Sequence, residues 1–323
     1  MEARRDISAL VHPQLRQAFD GFPVILDASA DPVAGRAQLL ERFERFAGAG
    51  RAQDPLVARR DVAVPGLDDD PPLTVRVYEA AERGAVLPAI LWIHGGGFMM
   101  GNVDVDDADC ERLVREVEVV VVSVEYRLAP EHPFPAGTND GYAALCWTAG
   151  SAAELGIDPA RIAVAGRSSG GGTAAGVVLL ARDRGEVEVA FQMPLYACLD
   201  DRLLTPSTHE LHDPRAWNRT LLDHAWDAYL GPLRAGEVPP YAAPARAPDL
   251  AGLPPAYLQV GALDVLRDGN VEYAQRLVQA GVPTELHVFP GAFHGFDVLV
   301  PDAEISRRAV EEREAALRRA LQP

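Results

Sequence analysis

Three short stretches of this chain carry side chains whose types and spacing suit attack on an acyl carbon. Gly166-Arg167-Ser168-Ser169-Gly170 follows the apolar run Ile162–Ala165 and precedes a helical stretch. A G-x-S-x-G pattern in that context lifts a serine hydroxyl above the end of a sheet on a sharp strand-to-helix turn. Ser169 is the rival nucleophile, but Arg167 occupies the place where its own upstream glycine should stand. A serine hydroxyl attacks poorly until a neighbouring base takes its proton. Of the eight histidines, His294 in Phe293-His294-Gly295-Phe296 comes late in the chain, as the order Ser…Asp…His requires. That base in turn needs an acid to fix its tautomer and stabilise the imidazolium. Asp264 and Asp268, in the segment 261–268 after the apolar run Ala256–Val260, are the candidates. Asp264 lies nearer the strand end, whereas Asp268 suits a cap on the helix that follows.

The third stretch, His94-Gly95-Gly96-Gly97-Phe98, follows the apolar run Ala89–Ile93. Consecutive glycines permit unusual backbone angles and leave amide N–H groups unobstructed. Such donors can hold the oxyanion formed when an acyl carbonyl is attacked. His94 is expected to orient this loop rather than act as base. The remaining histidines (His12, His132, His209, His212, His224 and His287) read as surface or packing residues. His209 and His212 are three apart and lack the further ligands of a zinc site. The acidic run Asp104–Asp109 carries Asp109 where a calcium loop requires glycine, and reads as a helix N-terminus. No cofactor and no metal is expected.

These loops need a frame. Residues Val62–Val64 and Thr74–Tyr78 alternate apolar and polar around the turn 68–72, as a hairpin does. From Ala89 onward the apolar runs become continuous, at Ala89–Ile93, Val119–Val124, Ile162–Ala165, Val187–Tyr196 and Ala256–Val260, followed by a short strand Glu285–Phe289. Continuous runs separated by helical stretches predict a mostly parallel central sheet covered by helices on both faces, an α/β fold. The crossover helices are expected at Ala108–Glu116, Asp140–Ala149, Thr173–Arg184 and Val271–Ala280. Helices are also expected at Pro13–Phe19, Val33–Phe46 and Leu221–Leu230. The stretch between Cys198 and Asp249 is too long for a bare loop and reads as an insertion that packs on the first helices. Phe19, Phe22, Trp217, Trp226 and Tyr229 are the aromatic residues there that would line a pocket or simply pack.

The chain has 323 residues, of which 30 are basic and 47 acidic, for a net charge of −17. Such a surface repels phosphate backbones and anionic lipid, so nucleic-acid and membrane partners are not expected. All 30 basic residues are arginine, which removes Schiff-base lysines, the P-loop lysine and kinase chemistry. The Ala/Arg-rich, Lys-free composition suggests a GC-rich bacterial source. Three cysteines without paired spacing argue against a disulfide framework. With no signal-peptide pattern and no long apolar stretch, the expectation is a soluble cytoplasmic protein.

Taken in order, the glycine loop 94–98, Tyr126-Arg127-Leu128-Ala129-Pro130-Glu131, Phe134-Pro135-Ala136, the serine turn, the segment 264–268 and His294-Gly295-Phe296 resemble the hormone-sensitive-lipase family of α/β-hydrolases. The likeness runs from about residue 60 to the end. It implies an α/β-hydrolase fold with a helical cap, divided as residues 1–55 (cap), 56–196 (core), 197–250 (cap insertion) and 251–323 (core). It implies a carboxylesterase with Ser168 as nucleophile, Asp264 as acid and His294 as base, and with the N–H groups of Gly96, Gly97 and Ser169 as oxyanion donors. The partner would be a small-molecule ester, with short to medium acyl chains favoured by an enclosing cap; family members often dimerise. Two departures from the family stand out: Arg167 replaces the usual Asp or Thr, and Ser169 the usual Ala. The alternatives are an amide or acetyl-group hydrolase of a specialised metabolite, using identical machinery, and a silent small-molecule receptor on the same fold.

Overall fold

The computed structural model describes residues 7–21, 53–82 and 84–322. Eight strands form one sheet: β1 (Val57–Val64), β2 (Leu73–Ala80), β3 (Leu87–Ile93), β4 (Val120–Glu125), β5 (Ile157–Arg167), β6 (Phe191–Leu195), β7 (Ala256–Gly261) and β8 (Thr284–Phe289). Their spatial order is β1-β2-β4-β3-β5-β6-β7-β8. β2 pairs antiparallel with both β1 and β4, and every pair from β4 to β8 is parallel. The order reverses at β3, where the first crossover turns back before the sheet grows toward β8. A site at the carboxyl ends of central strands is where such a sheet places ligands.

Side-chain alternation divides the two apolar layers. Val75, Val77, Leu91, Ile93, Val122, Val124, Ile162 and Val164 pack with Tyr142, Leu145, Val177 and Val178 from the helices Ala136–Gly150 and Ser169–Arg184. Tyr78, Ile90, Trp92, Val121, Ala163 and Ala165 turn to the other face, against Cys110, Leu113 and Val117 of helix Asp107–Val117 and Leu317 and Leu321 of helix Glu304–Leu321. Burial on both faces explains why these strands read as unbroken apolar runs.

A third apolar cluster lies beyond the ends of the strands. It joins Ile7, Val11, Leu15 and Phe19 of the first segment to Leu222, Trp226 and Tyr229 of helix Arg219–Leu230, and to Phe98, Phe293 and Phe296 of the loops below. Leu15 and Phe19 of helix Pro13–Gly21 thus share one cluster with Leu222, Trp226 and Tyr229. The expected helix Val33–Phe46 lies outside the described residues.

Several boundaries differ from expectation for identifiable reasons. The helix expected from Thr173 begins at Ser169, directly after the serine. Its early glycines reflect crowding rather than a loop: a Cβ on Gly170 would overlap the carbonyl oxygens of Ile93 and His94. The helix expected from Asp140 begins at Ala136, immediately after Pro135. The run expected from Val187 becomes strand only at Phe191, with the residues before it serving as the connection from the preceding helix. The last helix, Glu304–Leu321, lies beyond the elements expected above, although Ile305, Ala309, Ala316 and Leu317 mark a buried face at helical spacing.

Candidate active site

The site forms where β3, β5, β7 and β8 end. Ser168 follows β5 directly and adopts φ 56°, ψ −123°, a region that costs a non-glycine residue free energy. Its backbone is held from several directions. The Ser168 N–H donates to the Leu195 carbonyl at the end of β6 (2.9 Å), and its carbonyl accepts from the N–H of Cys198 (2.9 Å) and of Gly172 (3.1 Å). A strained conformer persists only where its surroundings over-determine it, and here the neighbouring strand end does so.

His294 lies on the loop after β8. Its Nε2 is 3.0 Å from Ser168 Oγ and its Nδ1 is 2.8 Å from Asp264 Oδ2. Asp264 is fully buried, and its second oxygen accepts the Leu266 N–H at 2.9 Å. That bond fixes the carboxylate plane, so one oxygen is free to face the imidazole. The three side chains therefore form one hydrogen-bonded line, with Ser168 8 % exposed at its open end.

Asp268 lies elsewhere. Its carboxylate accepts the Ser207 N–H at 2.6 Å and pairs with Arg267 at 2.6 Å. It is thus not a cap on its own helix, Arg267–Gln279, as the sequence suggests; it accepts an N–H of the first turn of the short helix Pro206–Glu210 and ties the two segments together. Burial pulls the Asp268 carboxyl upward, but the Arg267 guanidinium and the Ser207 donors outweigh this and hold it below the usual carboxylate range.

The glycine loop approaches from β3. Gly96 has φ 137°, and a Cβ there would overlap the Met100 carbonyl oxygen, so only glycine fits. Among the described residues, no acceptor takes the N–H of Gly96, Gly97 or Ser169. Ser169 also opens a helix, where N–H groups lack intrahelical partners and the dipole favours negative charge. His94 is buried, stacks on Tyr126 with ring centroids 4.3 Å apart, and its Nδ1 lies 2.8 Å from the Gly95 carbonyl oxygen. Burial lowers its pKa to about 4 against the opposing Gly95 carbonyl, so the ring is neutral at pH 7. The Tyr126 hydroxyl donates to the His94 carbonyl at 2.9 Å, and Ala129 N–H to the Phe98 carbonyl at 3.0 Å. Arg127 anchors this buttress through Asp140 at 2.7 Å and Asp70 at 3.1 Å. The segment 126–131 therefore supports the loop from behind.

Two other expectations are refined. Of the aromatic residues weighed as pocket wall, Phe19, Trp226 and Tyr229 are core of the third apolar cluster, and Phe22 lies outside the described residues. Of the four that lie among the described residues, Trp217 is the one whose ring faces His294 and Gly97 together. Its ring is stacked 6.1 Å from His294, and its edge lies against Gly97, where a Cβ would come within 2.8 Å. The acidic run is more than a helix start: Asp106 and Asp109 both pair with Arg167, which is buried beside the serine. The two carboxylates explain how a long cation is accommodated at that turn. Among the described residues, no cluster of His, Cys, Asp or Glu is arranged to hold a metal, and no helix is long and apolar enough to cross a membrane.

Residues 90–298 match a protein family described as having the alpha/beta hydrolase fold. The chain is 39 % identical to carboxylesterase NlhH of Mycobacterium tuberculosis, across 99 % of this chain and 98 % of that protein. It is 33 % identical to an ethyl acetate hydrolase of Pseudomonas putida, over 69 % of this chain and 71 % of that one. Among solved structures, a bacterial heroin esterase superposes with a TM-score of 0.93 at 44 % identity, covering 98 % of this chain and 100 % of its own. A hyperthermophilic esterase from Pyrobaculum calidifontis gives 0.86 at 36 % identity, covering 96 % and 98 %.

Proposed function

The chain belongs to the alpha/beta hydrolase fold family, and from that premise we infer that it is a serine carboxylesterase working through an acyl-enzyme. One observation carries the assignment of roles: His294 bridges Ser168 and Asp264 at 3.0 and 2.8 Å. Ser168 Oγ attacks the ester carbonyl carbon while His294 Nε2 takes its proton. Asp264 stabilises the resulting imidazolium through Nδ1. The tetrahedral oxyanion accepts hydrogen bonds from the N–H groups of Gly96, Gly97 and Ser169. His294 then protonates the departing alcohol, and the acyl group stays on Ser168. A water molecule, deprotonated by His294, attacks that ester and releases the acid.

A silent receptor on this fold would have no use for a base within hydrogen-bonding distance of the serine. The substrates are small esters of short to medium acyl chain, since Trp217 closes over Gly97 and the cap above it is a packed cluster. We place the protein in the cytoplasm, in keeping with three free cysteines, and treat residues 1–55 and 197–250 as cap on the same footing. The test is direct. A phosphonate ester should label Ser168 once, as read by mass spectrometry, and Ser168→Ala should lower kcat by about 10⁴-fold or more without unfolding the chain. p-Nitrophenyl esters of four to eight carbons should turn over faster than the sixteen-carbon ester. Labelling of Ser169 in place of Ser168 would overturn the assignment.

A further inference from the structure

A line of alternating charges, buried except for the central Asp109 side chain at 22 % exposure, connects segments on either side of the site. The Arg167 guanidinium donates to Asp106, to Asp109 (2.7 Å) and to the Val105 carbonyl (3.2 Å). The other oxygen of Asp109 accepts from Arg313 of the last helix at 3.0 Å, and Arg313 donates in turn to Asp297 at 2.6 Å. Asp106 and Asp297 have side chains 0 % exposed, Arg313 4 % and Arg167 9 %. The order Asp106–Arg167–Asp109–Arg313–Asp297 alternates in sign from end to end. Two of its members adjoin the site in sequence: Arg167 immediately precedes Ser168, and Asp297 follows His294 by three residues.

Buried ion pairs are weak contributors to stability, because desolvation offsets most of the attraction and apolar groups of equal volume often do as well. What they supply is direction, since a planar guanidinium meets carboxylates in a fixed geometry. Resting on the reading of Ser168 and His294 as nucleophile and base, we propose that Arg167 and Arg313 are positioning residues. The ladder holds the segment before the nucleophile and the segment after the base in one register. Ser168 Oγ and His294 Nε2 are thereby kept at 3.0 Å before substrate arrives. Misplacement of reacting groups by about 1 Å can cost on the order of 100-fold in rate, so partial loss of register should register in kcat.

The experiment compares Arg167→Met, Arg313→Met and the double variant, well below each melting temperature. Its readouts are kcat and KM for a soluble p-nitrophenyl ester and the rate of phosphonate labelling at Ser168. Each single change should lower kcat and the labelling rate about tenfold, with KM within about twofold. The double variant should lose about as much as one single variant, because both cut the same ladder. Arg167→Lys should recover part of the loss. Should a methionine variant fail to fold, Asp297→Asn and Arg167→Lys take its place, with a loss of about threefold in the same readouts. The proposal is overturned if kcat stays within twofold in the folded variants, if the single losses multiply in the double, or if only KM moves. A parent protein whose Ser168 takes no phosphonate would instead refute the esterase reading itself.

Discussion

Asp264 and Asp268 are four positions apart, one in the turn after β7 and the other in the first turn of the helix that follows, and they make different contacts. Asp264 faces His294 and gives its second oxygen to a backbone N–H, whereas Asp268 faces Ser207 and Arg267. Asp264→Asn keeps the volume but removes the charge that stabilises the imidazolium, so kcat should fall by roughly 10³–10⁴-fold at pH about 7.5. Asp268→Asn should leave kcat within about threefold while lowering the melting temperature, because it weakens the tie between insertion and core. The reverse order of kcat losses at equal stability would reassign the acid. His94 gives a pH prediction of known sign. Its folded pKa of about 4 lies below the usual histidine value near 6.5, so the unfolded chain takes up a proton first as pH falls. Stability is therefore full above pH about 6.5 and declines toward pH 4, by about 3 kcal/mol from this one ring. Chemical denaturation at pH 7 and 4.5 should show a steeper decline for the parent than for His94→Asn.

Among the elements, the glycine loop supplies two of the three backbone donors that the proposed mechanism assigns to the oxyanion, those of Gly96 and Gly97. Gly96→Ala would force the loop off the Met100 carbonyl and withdraw its donors from the oxyanion position. A loss of about 10²–10³-fold in kcat is expected, read beside a thermal melt to show that the sheet survives. The same loop shows what the sequence made legible. Strands buried on both faces announce themselves as continuous Val/Ile runs, and turns at their ends as glycine clusters, so His94–Phe98, Ser168 and His294 could be placed by eye. Tertiary pairing was not written in that way. Nothing local tells that Asp106 and Asp109 face Arg167, or that Asp268 reaches across to Ser207, because each partner is 58 to 61 residues away. Glu304–Leu321 is faint in the sequence because arginine and glutamate outnumber its apolar residues, and only the spacing of the few buried ones marks the inner face.

Considered whole, the molecule is a sheet whose strand ends gather residues from distant parts of the chain. The base loop is the least local part of this arrangement. The His12 N–H donates to the Gly291 carbonyl at 2.9 Å, and the Phe19 ring lies 5.2 Å from that of Phe293. From the other end of the chain, Ser306 Oγ donates to the Phe296 carbonyl at 3.2 Å, and Gln14 meets the N–H of Ile305 at 3.2 Å. The first described helix and the last are thus fastened together around His294, across 291 positions in sequence. Contacts so far apart are slow to form, because the loop-closure entropy must be met before they can stabilise anything. Hydrolysis should therefore be the last property the protein acquires: during recovery from denaturant, far-ultraviolet circular dichroism should return ahead of ester turnover. A nascent chain still missing its final helix would lack Ser306 behind the His294 loop and Arg313 behind Arg167, so turnover should wait until the last residues have docked.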